Sequence, residues 1–414
     1  MFKFAHIADS HVGGWRDQRI RDAGIEAFKR AIDICIRKGI DFVIIAGDLF
    51  DTALPTIDCM NEVTIKLRDL KNKKISVYVV PGSHDFSPSG KTFISILESA
   101  GLLKNIAIAN FVNNKLRLEF TFDEKTGAKL AGLPGRKGAL EKNYYEILDR
   151  EFLEKTSGFK IFVFHSAVSE LKQEDFYADA IPLSLLPKNF NYYASGHVHS
   201  RGLFSEKDYG VIAYPGALFP NNFLEMEKFN FGGFYIVEVE DNKILNIEFE
   251  SIVVKNVYPI IINAESKTPS KIESELKEKI GDREFFDTIV LIRIFGKLSS
   301  GKTSDVDFKE IINLLYEKGA FFVMKNTSQF FSKDFEETRV QALQPEEIEE
   351  KIIEENSSQK IEGFDDSPKD LIKKLMRILS EEKDSEETKK VFENRILSNF
   401  KKEFGEKFSE KDKK

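Results

Sequence analysis

The chain has 414 residues and a formal net charge of −7, and 42% of its residues are hydrophobic and 31% charged. This length exceeds one typical core, so we expect a globular protein of two or three domains. The negative net charge disfavours a general nucleic-acid binder, although a local basic patch and bound metal cations can still hold phosphates.

The first 110 residues alternate strand-type and helix-type patterns. Apolar residues between Phe28 and Ile36 recur at i, i+3, i+4, i+7 and i+8, which is typical of a helix that ends near Gly39. Alternating strands and helices favour a mostly parallel or mixed sheet with helices on both faces. Further strands are predicted at 2–8, 41–46 and 75–80, and further helices at 57–70 and 91–100.

From about residue 105 the pattern changes to shorter strands separated by turns. A helix is predicted at 141–155, and the strands after it lead to His165 and to the pair His197 and His199. These strands predict a second sheet packed on the first. The fold class is therefore α/β, with residues 1–253 forming a four-layer αββα sandwich.

Three segments follow the sandwich. Residues 254–338 have the pattern of a small α+β domain, and residues 339–366 are rich in Glu and Lys, which predicts a charged linker. Residues 367–414 predict a C-terminal helix pair, whose first helix begins with a cap residue followed by Pro368. The apolar stripes of the pair contain Leu371, Leu375, Ile378, Phe392, Ile396 and Phe400. These stripes either fold back on the chain itself or dock on a partner protein.

The cysteines and the apolar runs predict the cellular setting. Cys35 and Cys59 are the only cysteines, and each lies in an apolar helical pattern, so we expect buried free thiols. No apolar run approaches the roughly 18 residues that span a membrane, and the first residues lack a signal-peptide pattern. We expect a reducing, cytoplasmic setting and no membrane partner.

Five of the six histidines follow directly after strand-type runs, each in a turn where a sheet can present reactive groups. The sixth, His6, lies inside the first strand and is interpreted as an ordinary strand residue. Asp and His are oxygen and nitrogen ligands for Mn, Fe or Zn, and a two-metal site also needs a bridging carboxylate. The candidate ligands are Asp9, His11, Asp48, His165, His197 and His199.

The third strand ends in Pro81-Gly82-Ser83-His84-Asp85. Two metals would bind phosphate oxygens and lower the pKa of a bound water. His84 has a near-neutral reference pKa and can protonate a leaving alkoxide, which makes it the candidate catalytic residue. Asp85 is expected to orient its ring.

These motifs resemble the five blocks of the calcineurin-like metallophosphoesterases. Within that superfamily the chain most resembles the Mre-eleven/SbcD double-strand-break repair nucleases. The resemblance is carried by His-Ile-Ala-Asp-Ser-His-Val-Gly at 6–13, Ala-Gly-Asp-Leu-Phe-Asp at 46–51 and Gly-His-Val-His at 196–199, together with Tyr-Pro-Gly at 214–216. The motifs cover about residues 1–250. The later segments match the family's DNA-binding capping domain and ATPase-binding helices only in order and character.

The resemblance implies specific roles. Asp9, His11, Asp48 and His199 would bind one metal, with Asp48 bridging, and His165 and His197 would bind the other. His84 would act on the leaving group. The implied protein is a manganese-dependent 3′–5′ exonuclease and endonuclease with two metal ions. It would form a homodimer that holds DNA ends and bind an SMC-like ATPase of the Rad-fifty/SbcC type.

Two positions depart from the family pattern. Ser83 stands where the family usually has an Asn that binds the second metal, and a serine is a weaker ligand. Asp51 stands where nuclease members often carry a second histidine, so we assign it only to the surroundings of the ligands. These departures suggest one alternative, a weakly active DNA-end-binding scaffold of the repair complex. A small or cyclic phosphodiesterase is the alternative enzyme.

Two Gly-rich stretches are candidates for phosphate contacts. Residues 296–303 match G-x-x-x-x-G-K-[ST], but the surrounding segment is too short for the usual nucleotide-binding sheet. We favour a turn in which Lys302 touches DNA phosphate. Residues 132–138 contain Arg136 and Lys137, which either contact a DNA backbone or belong to a flexible surface loop.

Overall fold

The computed structural model describes residues 1–86, 92–136, 140–171, 180–332, 368–381, 387 and 389–404. The chain divides into two units, Met1–Lys333 and Asp334–Lys414. The predicted linker at 339–366, and Lys137 of the second Gly-rich stretch, lie outside the described residues. No helix in these ranges is long and apolar enough to cross a membrane.

Strands and helices are numbered in chain order. The strands are β1 (Phe2–Ile7), β2 (Phe42–Ala46), β3 (Ser76–Val80), β4 (Lys104–Asn105), β5 (Ala109–Val112), β6 (Lys115–Leu118), β7 (Thr121–Phe122), β8 (Lys129–Leu133), β9 (Lys160–His165), β10 (Tyr192–Gly196), β11 (Gly202–Ser205), β12 (Val211–Tyr214), β13 (Gly232–Glu240), β14 (Lys243–Ile252), β15 (Asn256–Asn263), β16 (Thr288–Lys297) and β17 (Phe322–Phe331). The helices are α1 (Gln18–Arg37), α2 (Ile57–Asn72), α3 (Phe93–Ser99), α4 (Lys142–Glu146), α5 (Arg150–Lys155), α6 (Phe223–Phe229), α7 (Pro269–Ile280), α8 (Phe308–Glu317), α9 (Pro368–Leu379) and α10 (Lys389–Phe404).

Two six-stranded sheets form the centre of the first unit. Their orders are β14-β13-β1-β2-β3-β4 and β11-β12-β10-β9-β8-β7. The strands that lead to the predicted ligands run parallel, with β1 beside β2, β2 beside β3 and β9 beside β10. Apolar clusters lie between the sheets and under the helices on each outer face. The predicted α/β sandwich is confirmed.

Aromatic rings fix the two sheets against each other. Phe4 stacks on Phe42 at 5.2 Å and meets Tyr192 of the second sheet edge-on at the same centroid distance. His6 belongs to this interface, because its Nε2 donates to the carbonyl of Ser195 and its Nδ1 accepts from the Tyr192 hydroxyl. Burial lowers the pKa of His6 to about 3, so it is neutral. The interpretation of His6 as a strand residue agrees with these contacts.

The segment after the sandwich is a three-stranded parallel sheet of β15, β16 and β17 with helices α7 and α8. The sequence pattern missed β15. Ile289 and Leu291 of β16 pack on the helical side of the first sheet. Arg293 pairs with Glu227 of α6 through two contacts of 2.7 and 2.5 Å. Residues 254–332 thus lie in the same unit as the sandwich, and a domain boundary at 253/254 stays a prediction.

The single helix predicted at 141–155 is wrong. The structure has two short helices there, α4 and α5. Asp149 lies between them, caps α5 through the amide of Phe152 and pairs with Arg117 at 2.8 Å. A capping carboxylate favours a new helix start, so the chain turns at this point.

The second unit contains the helix pair α9 and α10. Arg395 of α10 forms ion pairs with Glu381 and Glu387, which lie between the two helices. Of the predicted stripe, Leu371 and Ile378 are buried, whereas Leu375 remains 37% exposed. Phe392, Ile396 and Phe400 are half-buried. The two helices contact each other, and each predicted stripe is partly covered.

Candidate metal centre

The predicted ligands meet at the carboxyl ends of β1, β2 and β3 of one sheet and of β9 and β10 of the other. Three overlapping groups of side chains offer ligand atoms that lie within 4.8 Å of one another. The groups are Asp9, His11 and His199; His11, Asp48 and His84; and Asp9, Asp48 and His165. Asp48 takes part in two groups, and its Oδ2 lies 3.7 Å from His11 Nε2 and 3.1 Å from His165 Nε2.

The backbone at these positions is unusual. Asp9, His11, Asp48 and His197 have φ angles of 47°, 41°, 50° and 82°. Residues other than glycine rarely adopt positive φ, and such strain collects at functional sites because the surroundings must hold it. The turns thus aim four candidate ligands at one place at a conformational cost.

Glycines allow the loops to approach closely. A Cβ on Gly47 would lie 2.1 Å from His165 Nδ1, and a Cβ on Gly82 would lie 2.2 Å from Asp48 Oδ1. Real Cβ atoms are essentially never found under 3.0 Å from such neighbours. Glycine at 47 lets the second sheet bring His165 close to the loop after β2, and glycine at 82 lets the loop after β3 approach Asp48.

One buried carboxylate oxygen in the centre, Asp9 Oδ2, has no hydrogen-bond partner. Asp9 is 0% exposed. A buried carboxylate oxygen left unpaired is costly unless a cation binds it. The residues therefore fit a bound divalent metal.

The ring nitrogens that face away from the centre have acceptors. His165 Nδ1 lies 2.9 Å from the carbonyl oxygen of Ala46, His199 Nδ1 lies 2.9 Å from Glu225 Oε1, and His11 Nδ1 lies 3.2 Å from Asp51 Oδ1. A proton on Nδ1 leaves Nε2 as a lone-pair donor to metal. His11 Nε2 and His199 Nε2 face each other at 3.2 Å, so either a proton on one nitrogen or a cation between them must separate the two lone pairs.

The electrostatics agree with a cation site. Burial alone would raise the pKa of Asp48, but His165 and His11 outweigh it and hold that pKa well below its usual range. Burial opposes charge on His165, yet Asp48 raises the pKa of His165 to about 10. Without metal, a proton sits where a metal would bind, so metal binding releases protons.

His197 and Ser83, the two remaining predicted ligands, lie beside these side chains. The backbone amide of His197 donates to Asp9 Oδ1 at 2.9 Å, and the His197 ring lies 5.3 Å from that of His165. Ser83 Oγ lies 3.4 Å from Asp48 Oδ2. Five of the seven predicted ligands thus belong to the metal-binding groups, and His197 and Ser83 lie beside them without joining a group.

The expected orientation of His84 by Asp85 is wrong. The Asp85 carboxylate accepts from the amides of Leu49, Phe50 and Gly82 at 3.0–3.2 Å, so it ties the loops after β2 and β3 together. The His84 ring is held instead by Asp51, whose carbonyl oxygen lies 2.6 Å from His84 Nδ1. Asp51 therefore touches both His11 and His84.

Glu225 was missed by the sequence pattern. It lies in the first turn of α6, where it accepts from the amide of Asn221 at 2.8 Å as well as from His199. Asn222 caps the same helix through the amide of Glu225. An Asn three residues before a Glu signals a helix start, but nothing local indicates that this Glu meets His199.

Arg136 and Lys302, the described residues predicted to contact phosphate, differ in what surrounds them. Arg136 contacts two rings, with its Cζ 4.6 Å from the centroid of Phe86 and 4.9 Å from that of Tyr144. Lys302 is in a closed turn, because its amide donates to Asp305 Oδ2 at 2.7 Å and the amide of Thr303 donates to Ser332. A carboxylate fills the place a phosphate would need, so this turn does not favour nucleotide binding.

The sequence is similar to a family of phosphoesterases and to several known proteins. Residues 2–201 match the family described as calcineurin-like phosphoesterase. The DNA double-strand break repair protein Mre11 of Archaeoglobus fulgidus is 26% identical over 418 residues, which cover 87% of this chain and 90% of that protein. The Mre11 of Saccharolobus solfataricus is 30% identical over 59% of this chain and 63% of that protein. The uncharacterized metallophosphoesterase YhaO of Bacillus subtilis is 26% identical over 56% and 53%.

The contact between Glu225 and His199 generates a testable prediction. Glu225→Ala should weaken Mn²⁺ binding by about tenfold, because partners that orient a ligating histidine typically contribute this much. The Mn²⁺ affinity of Glu225→Gln should lie between those of the wild type and Glu225→Ala, since the Gln amide oxygen still accepts from His199 Nδ1. Titration calorimetry on the full chain measures the affinities, with Glu248→Ala as an exposed control. Wild-type affinity in Glu225→Ala would contradict the assignment.

Proposed function

Residues 2–201 of this chain belong to the calcineurin-like phosphoesterase family, a family of metal-dependent hydrolases, and we propose that the protein is a manganese-dependent DNA nuclease. The proposed substrate is a DNA end, and the proposed context is double-strand-break repair. The observation that carries the proposal is the overlapping set of buried ligand groups around Asp48. The similarity to a repair protein over 87% of the chain, well beyond residue 201, supports DNA as substrate.

We assign the ligands in two sets that share Asp48. Asp9, His11 and His199 would hold one ion with it, and His165, His197 and Ser83 the other. Bound metals of this kind polarise a phosphodiester and lower the pKa of a bound water. Asp51 and Glu225 hold His11 and His199 by their Nδ1 atoms, so that each Nε2 is left for the metal.

His84 is placed to act on the leaving group. Its side chain is 38% exposed at the edge of the centre, and its Nδ1 is held by the Asp51 carbonyl oxygen. In the doubly protonated form, Nδ1–H stays on that carbonyl and Nε2–H is free to be donated to the leaving oxygen. The Asp51 carboxylate lies 3.8 Å from Nδ1. His84 thus supplies the proton that the departing 3′ or 5′ oxygen needs.

Arg136 is the proposed contact to the DNA backbone. Gly135 donates its amide to the carbonyl of Pro81 at 2.9 Å, so the loop with Arg136 lies against the loop with His84. Cation–π contacts with two aromatic rings limit the motion of the guanidinium. A preorganised arginine at the edge of a phosphodiesterase site suits a flanking phosphate.

The nuclease assignment predicts metal-dependent DNA cleavage that requires His84. The full chain should cleave linear duplex or single-stranded DNA with Mn²⁺ and not with EDTA. His84→Ala should reduce the rate by roughly 10²–10⁴-fold, which is typical for removal of a general acid, while Mn²⁺ affinity is retained. A fluorescent gel assay and calorimetry measure both. The Glu248→Ala variant is the control for nonspecific loss.

A second candidate, the weakly active DNA-end scaffold, is favoured by Ser83. Its hydroxyl lies 3.4 Å from Asp48 and is a neutral, weak ligand for a second ion. If weak second-metal binding limits the native protein, Ser83→Asn should raise the Mn²⁺-dependent rate at least severalfold and strengthen the second binding event. An unchanged rate with unchanged stoichiometry would show that Ser83 or water serves adequately and would count against the scaffold.

The resemblance to double-strand-break repair nucleases also leads us to propose an assembly. It is a homodimer that binds an SMC-like ATPase through the helix pair α9 and α10. Leu375, Leu379 and Leu397 stay 37–66% exposed in that pair, which leaves apolar surface for a coiled-coil partner. Deleting residues 367–414 should abolish ATPase binding and leave dimer mass and Mn²⁺ binding intact. Light scattering with and without the ATPase checks this, and retained ATPase binding would contradict it.

A further inference from the structure

A pocket of about 240 Å³ opens directly beside the metal centre, and the mechanism does not use it. His199 and Glu225 form its inner end, which makes the pocket continuous with the site of hydrolysis. The outer walls are a mixture of cations and aromatic rings from α6 and the strands around it. These walls include Arg201, Lys228, Phe229, Phe231 and Phe249.

Arg201 is the first feature that points to a ligand. It follows the His197–His199 block by two residues, is exposed, and lies with its Cζ 4.3 Å from the centroid of Phe249. Phe249 is itself fixed edge-on against Tyr235 at 5.5 Å. Within the described ranges Arg201 forms no ion pair. A guanidinium that lies over one ring leaves its other face for stacking.

The opposite wall supplies a second cation and an exposed ring. Lys228 Nζ lies 5.2 Å from the centroid of Phe229, and Phe231 is 38% exposed at the mouth of the pocket. The one carboxylate in the lining, Glu225, is already bound to His199 and to the amide of Asn221. The pocket therefore combines positive charge with flat apolar surface, on a chain whose formal net charge is −7.

We propose that this pocket is a nucleotide subsite that holds the residue flanking the scissile phosphodiester. This rests on the proposed function and names its substrate more closely: a nucleic acid rather than a small phosphodiester. The base stacks on the free face of the Arg201 guanidinium and on Phe231. Stacking on rings and guanidinium groups tolerates any base, so the subsite binds nucleotides with little sequence preference.

The test separates binding of a nucleotide from binding of phosphate alone. Titration calorimetry on the full chain with Mn²⁺ compares deoxyadenosine monophosphate with inorganic phosphate in wild type, Arg201→Gln and Phe231→Ala. Each variant should bind the nucleotide about tenfold more weakly, the effect of losing one stacking partner, and inorganic phosphate unchanged. Phe231→Ala keeps the test decisive if Arg201→Gln does not fold.

Arg283→Gln is the matched control, because Arg283 is also exposed and stacked, 4.4 Å over the ring of Tyr258, but far along the chain in the β15–β17 segment. It should bind both probes like wild type. Equal weakening of nucleotide and phosphate, or no weakening, would overturn the subsite even if the wild type cleaves DNA. If the variants lose affinity for the nucleotide alone and the wild type cleaves no DNA, the result would support the subsite and count against the nuclease function.

Discussion

The structure depends on neutralising two carboxylates buried between its sheets. Asp9 and Asp48 are 0% and 2% exposed, and histidines surround both. An isolated buried carboxylate is very costly, and hydrogen bonds from the protein leave Asp9 Oδ2 unpaired. A divalent cation balances this charge and also accounts for the facing Nε2 atoms of His11 and His199. The strained turns and the glycines between the loops serve the same purpose, since they bring these groups within reach of one ion.

The fold supplies the positions that the chemistry needs. Parallel strands of two different sheets end at the same edge, so ligands far apart in sequence become neighbours. The sheets keep their register through Phe4, Tyr192 and the neutral His6, which joins β1 to β10. A sliding of one sheet on the other would separate Asp9 from His165. The apolar interface between the sheets is therefore part of the metal centre, although it holds no ligand.

Local patterns in the sequence predict much of this fold and of its ligands, because strand periodicity and strand-end turns are short-range signals. They predict the strands that carry Asp9, Asp48 and His165 and the helix start at Pro368. They fail where tertiary contacts decide. Asp85 meets backbone amides rather than the neighbouring ring, and Glu225 reaches His199 from 26 positions away. Likewise, the helix predicted at 141–155 is divided because Asp149 finds Arg117 at long range.

Anomalous diffraction from crystals grown with Mn²⁺ tests most directly whether two metal ions share Asp48. We expect two anomalous peaks about 3.5–4 Å apart, the separation usual in two-metal phosphoesterase sites. The Asp48 carboxylate should lie between them, His11 and His199 should contact one peak, and His165 the other. Two ions that do not contact Asp48, or no ion among these side chains, would contradict the proposed centre.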